Sequence, residues 1–163
     1  MARKTFFSFH YATDSWRVSQ VRQIGAIEGN AAVSDDDWES VTKGGDAAIQ
    51  RWIAGQLKGR TCTIVLLGED TAGRKWITYE IKESWKARMG VVGIRIHNLK
   101  NQDKVTSKPD GNPFHSLMVG GKRLSSIVKL YNPAGVTSTD AYNSIASGIE
   151  GWVDEAINIR GKY

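Results

Sequence analysis

Along this chain apolar residues recur either in short runs, as strands require, or at spacings of three and four, as helices require. Thr5-Phe6-Phe7-Ser8-Phe9-His10-Tyr11 has the aromatic enrichment of a strand, and Asp14 or Ser15 can cap a following helix carrying Trp16, Val21 and Ile24. The stretch from Gly25 to Gly45 is polar and turn-rich, includes Asp35-Asp36-Asp37, and reads mostly as a long loop in which Val33 is the one candidate for a short edge strand. Asp46 begins an amphipathic helix with Ile49, Trp52, Ile53 and Leu57 on one face and Gly59 as its stop. The run Cys62 to Leu67 is the next strand. Gly68-Glu69-Asp70-Thr71 then turns into a helix from about Arg74 to Arg88, in which Trp76, Ile77, Ile81 and Trp85 keep helical spacing and which Gly90 ends. Val91 to Ile96 is apolar, as central parallel strands are. Lys100 to Arg123 is a loop region and Ile127 to Tyr131 a last short strand. The final helix, from about Asp140, lines up Tyr142, Ile145, Ile149, Trp152, Val153 and Ile157.

Strands alternating with helices predict a mostly parallel sheet covered on both faces, an α/β fold of the flavodoxin-like kind. No repeat, low-complexity tract or second domain is visible, so residues 1–163 read as one domain. Ligands of such sheets bind beyond the carboxyl ends of the strands. That places the search at His10 through Asp14, at Gly68 through Thr71 with the helix they open, and at Asn98.

Composition narrows the field. Hydrophobic residues make up 40% and charged residues 24%, ordinary values for a globular chain, and no apolar run approaches the roughly 20 residues of a membrane helix. The start, Met1-Ala2-Arg3-Lys4, enters the aromatic run without a secretory leader, and the single Cys62 excludes an internal disulfide, so the cytoplasm is the expected compartment. The net charge of +5 comes from scattered Lys and Arg with no nucleic-acid recognition motif, which reads as a basic surface able to attract an anionic ligand.

One carboxylate stands out. With Trp76 at zero on a helical wheel of about 100° per residue, Glu80 falls at about 40°, between Trp76 and the pair Ile77 (about 100°) and Ile81 (about 140°). Glu83, at about 340° beside Lys82 and Lys86, faces away as a surface charge does. An ionised group inside an apolar arc must either find a cation at the helix rim or open into a pocket, and periodicity alone leaves both readings open. Trp76, one turn before Glu80, is either core or the wall of such a pocket. His10 lies in the ligand region as a lone histidine, and His97 and His115 have no recognisable partners. Asp35-Asp36-Asp37 with Glu39 reads as a solvated run, so no metal is expected. Walker, dinucleotide-fingerprint and Gly-x-Ser-x-Gly motifs are absent.

In order and spacing, Phe6-Phe7-Ser8-Phe9-His10-Tyr11, Trp16-Arg17, Val21-Arg22, Asp46-Ala47-Ala48-Ile49, Arg74 to Ile81, Val91 to His97 and Asn112-Pro113-Phe114 resemble the TIR-like proteins of the bacterial Thoeris antiphage system, with short archaeal relatives. The resemblance spans Lys4 to about Pro133. It implies a TIR fold with a five-stranded parallel sheet, and an enzyme that cleaves NAD, as substrate and not as cofactor, between nicotinamide and ribose. It assigns the catalytic glutamate of the family's Trp-x-x-x-Glu segment to Glu80, with Trp76 shaping the pocket. Ser8, Phe9, His10, Tyr11 and Asp14 would line the nucleotide site; Phe9 stands where animal TIR domains commonly have tyrosine, and the Gly29–Lys43 loop aligns poorly. The product implied is ADP-ribose, a cyclic ADP-ribose-like molecule or an amino-acid conjugate that activates a separate effector protein. Related enzymes often complete their sites across protomers, which leaves room for a homo-oligomer. The alternatives are a non-catalytic TIR-like scaffold for proteins or nucleotides and a nucleoside deoxyribosyltransferase.

Overall fold

The structure, a computed structural model, describes residues 3–32 and 35–163. Strand β1 (Arg3–Ser8) ends before Tyr11, because Tyr11 already opens helix α1 (Tyr11–Arg22), where the Asp14 N–H donates to the His10 carbonyl at 3.0 Å. Asp14 therefore sits in the first turn and Ser15 in the second, and the N-cap position belongs to His10. Val18 and Val21 give α1 its buried face, while Trp16, expected inside, is 55% exposed on the opposite side.

The edge strand is β2 (Ile27–Glu28), which pairs Ile27 with Arg3; Val33, its expected position, lies outside the described residues. Helix α2 (Asp35–Lys43) occupies what composition marked as loop. Its Asp35-Asp36-Asp37 sequence suits a helix N-terminus, and Trp38 and Val41, three apart, give it an apolar stripe. Helix α3 (Gly45–Leu57) follows and buries Ile49, Ile53 and Leu57.

Strand β3 (Cys62–Leu67), helix α4 (Lys75–Lys86) and strand β4 (Gly90–Arg95) come next. The region expected as loop carries a small hairpin, β5 (Met118–Val119) with β6 (Lys122–Arg123). Strand β7 is only Leu130–Tyr131, since Ile127 and Val128 leave a 3-10 turn and pack inward. Helix α5 (Ser138–Arg160) starts at a capping box between Thr137 and Asp140.

The sheet order is β2-β1-β3-β4-β7 and all four pairings are parallel, so the chain has the expected α/β flavodoxin-like fold. Side chains alternate between its faces. Phe7, Ile64, Leu66, Val92 and Ile94 meet α1 and α5, whereas Val65, Leu67 and Val91 meet α4, and Phe6 meets α3. The chain order reverses between β1 and β3. That is the switch point at which the loops after two neighbouring strands diverge and leave a crevice.

Gly90 does not stop α4. The helix ends at Ala87, with Arg88 at φ 61°, and Gly90 is the first residue of β4. A Cβ there would lie 2.7 Å from the Ile157 nitrogen and 2.8 Å from the Ala156 carbonyl carbon of α5, both backbone atoms that cannot swing aside. Gly90→Ala is expected to lower the unfolding free energy by about 1–3 kcal/mol or more. Urea denaturation showing no change would mean that α5 can move off the sheet freely.

Candidate active site

Glu80 lies on the second turn of α4 and points at the end of β1. It is 7% exposed, and the Ser8 hydroxyl donates to its Oε1 at 2.7 Å. Among the described residues no cation offsets the burial: loss of hydration pushes the Glu80 carboxyl up to about 8, while the Ser8 hydrogen bond pulls the other way. Of the two sequence readings, the rim ion pair is thereby set aside. Glu83, by contrast, pairs with Lys86 at 3.3 Å. The backbone around Glu80 is held as well, since the Ser84 hydroxyl donates to the Glu80 carbonyl at 2.6 Å and lies 2.6 Å from the Thr63 hydroxyl of β3.

Glu80 forms the common floor of two joined hollows at the switch point. The outer one, about 350 Å³, is lined by His10, Trp76, Arg74 and Lys75. The inner recess, about 40 Å³, reaches between Phe6, Phe7, Asn30, Arg22 and Trp52. Phe9, Tyr11 and Trp38 border both. The walls of the recess are a run of rings in contact: Phe9 to Tyr11 at 6.2 Å, Tyr11 to Trp38 at 5.6 Å, Trp38 to Trp52 at 5.5 Å and Trp52 to Phe6 at 6.4 Å. Asn30 anchors the turn after β2 by accepting the Phe7 N–H at 2.8 Å, and the Arg22 guanidinium lies over Phe7 and Phe9 at 5.2 and 5.9 Å. A carboxyl framed by aromatic faces suits a flat cationic ring.

The structure thus brings Ser8, Phe9, His10, Tyr11 and Trp76 to Glu80. It does not bring Asp14. That carboxylate is 1% exposed, pairs with Arg17 at 3.1 Å and accepts from the Thr71 hydroxyl at 3.4 Å, tucked against Gly68. It borders a separate polar hollow with Glu69 and Asp70. Its i,i+3 arginine was the signal for a structural role. Burial, then Arg74, lowers the His10 pKa, and its Nδ1 lies 2.8 Å from the Thr13 hydroxyl. His97 is buried with an unpartnered Nδ1, and His115 lies 3.4 Å from the Ser125 hydroxyl.

Trp38, Trp52, Asn30, Arg22, Arg74 and Lys75 were not read as site residues from the sequence. Trp38 carried a signal, being a large apolar residue alone in a polar stretch. Among the described residues no group of three or more His, Cys, Asp and Glu is placed to hold a metal ion, and no helix is long and apolar enough to cross a membrane.

Residues 6–101 match the family described as Thoeris protein ThsB, TIR-like domain. The chain is also 36% identical over 122 residues to a Bacillus cereus (strain MSX-D12) protein named "Putative cyclic ADP-D-ribose synthase ThsB1", in an alignment covering 72% of this chain and 64% of that one. The chain therefore spans less than two thirds of the relative's length.

Proposed function

The chain belongs to the Thoeris ThsB family of TIR-like domains, and from that premise we propose that it cleaves NAD at the nicotinamide–ribose bond and closes the remainder into a cyclic ADP-ribose-like signal for a separate effector protein. The observation that carries this reading is Glu80 itself: a buried carboxyl, without a cation partner, at the floor of an aromatic cleft. The name of the Bacillus cereus relative supports the same class of product.

The chemistry needs one carboxylate. When the bond from the ribose anomeric carbon to the pyridinium nitrogen breaks, both electrons leave with nicotinamide, which departs neutral and needs no general acid. The sugar is left as an oxocarbenium ion, and on this reading Glu80 as carboxylate stabilises that developing charge in surroundings where water screens it little. A hydroxyl of the same molecule then attacks the anomeric carbon and gives up its proton. A carboxylate whose conjugate acid has a pKa near 8 is a competent acceptor for that proton at neutral pH. On this reading the aromatic lining of the inner recess limits the access of bulk water, so that an internal hydroxyl competes for the anomeric carbon.

Mass spectrometry of NAD incubated with the purified protein, with and without lysate of phage-infected cells, tests the reading. Free nicotinamide and a product one water lighter than ADP-ribose are expected. NAD left intact under both conditions would favour the scaffold, and base exchange between free nucleosides would favour the deoxyribosyltransferase. Trp38→Ala opens the recess to solvent. It is expected to lower kcat/KM about tenfold and to raise the share of linear ADP-ribose; an unchanged product ratio would remove Trp38 from water exclusion.

A further inference from the structure

We propose that Arg74 and Lys75, with His10 beside them, form a subsite for the diphosphate of the dinucleotide at the mouth of the Glu80 cleft. This rests on the NAD reading above and adds to it the group that distinguishes a dinucleotide from a nucleoside. All three residues line the hollow that has Glu80 and Trp76 in its wall. Lys75 Nζ lies 4.9 Å from the Trp76 ring centroid, so its charge is held over the cleft.

Neither cation is committed to the interior. Arg74 pairs with Asp70, whose side chain is 70% exposed, and Lys75 pairs at 2.5 Å with Asp46, whose side chain is 63% exposed. Exposed pairs of this kind contribute little, so a doubly charged diphosphate can displace both carboxylates, and arginine offers phosphate a two-pronged donor.

Spacing agrees with this placement. Five bonds separate the anomeric carbon of a nicotinamide nucleotide from its phosphorus, through O4′, C4′, C5′ and O5′. Between residues 75 and 80 an α-helix rises about 7.5 Å. A ribose held at Glu80 thus has its phosphate near the start of α4.

The neighbouring polar hollow is a poor alternative. Asp14, Glu69 and Asp70 line it, and its Arg17 is used up by the Asp14 carboxylate at 3.1 Å and by the carbonyls of Leu99 and Val105 at 2.8 and 3.0 Å. A diphosphate would meet carboxylates there and no available cation.

The test compares NAD with nicotinamide riboside, which has the scissile bond and no phosphate, and titrates inorganic pyrophosphate by calorimetry at two salt concentrations. In the Arg74→Ala/Lys75→Ala protein the ratio of kcat/KM for NAD to that for the riboside is expected to fall on the order of 10²-fold. Pyrophosphate should bind the parent, more weakly at high salt, and lose its hold on the double variant. The Arg74→Lys/Lys75→Arg protein should recover most of both, with circular dichroism confirming the fold of each. A ratio changed less than twofold, or pyrophosphate bound equally by parent and double variant, would overturn the subsite. Should the parent leave NAD and the riboside untouched, the reading of Glu80 falls, and the pyrophosphate titration alone decides the subsite.

Discussion

Nicotinamide release from NAD is expected to fall at least about 10³-fold when Glu80 is replaced by glutamine, with the fold intact. Glutamine keeps the shape of the side chain and an oxygen able to accept from the Ser8 hydroxyl, so the 2.7 Å contact survives while the charge does not. On the proposed reading, what is lost is the anion opposite the oxocarbenium ion and the acceptor for the attacking hydroxyl's proton, and the active form of the parent is the deprotonated one. Because burial pushes the Glu80 carboxyl up to about 8, kcat/KM should climb as pH rises from 6 and flatten above about 8. Once NAD is bound, its positive pyridinium favours the carboxylate, so the kcat profile should turn at a lower pH than the kcat/KM profile. A Glu80→Gln protein retaining a tenth of the parent rate would remove Glu80 from the chemistry.

The same substitution is expected to stabilise the protein, and by an amount that depends on pH. The folded-state pKa of Glu80 is raised from 4.5 to about 8, so between those values the native protein holds a proton that the unfolded chain has released. Stability linked to this group is thus fully present below about 4.5 and is lost as pH rises through about 8. Glutamine has no proton to lose. Parent and variant should unfold alike near pH 4, and the variant should lead by on the order of 3–5 kcal/mol at pH 8 and above. Urea titrations across that window give the difference directly. A variant less stable than the parent at every pH would mean that the carboxylate is well solvated in the native state. An acid kept where it weakens the fold fits a residue retained for activity.

Much of this architecture is legible in the pattern of residues. Strand β3 falls on Cys62–Leu67 as read, because a fully buried parallel strand is a continuous apolar run bounded by turn signals. The long face of α5 emerges for the same reason: its partner is the sheet surface, so periodicity alone describes it. The position of Glu80 inside the apolar arc was visible as an angle on a wheel, which left a rim ion pair and a pocket both open. What escaped depends on contacts distant in sequence. Strand β2 is two residues long and exists because Ile27 can pair with Arg3. Helix α2 is read as loop by composition, and Trp38 meets partners on α1 and α3. Trp16 and Trp38 show the limit together: hydrophobicity marked the first for the core and passed over the second, whereas the fold exposes one and walls the cleft with the other.

The run of rings from Phe9 to Trp52 also gives the cleft an optical signature. Trp38 and Trp52 lie 5.5 Å apart with their planes inclined at 70°, close enough for their intense far-ultraviolet transitions to couple and to leave an exciton band in the circular dichroism spectrum. A nicotinamide ring entering beside Tyr11 and Trp38 would quench their emission and disturb that band together. Substrate entry can then be followed in the unlabelled protein, in the catalytically silent variant as readily as in the parent.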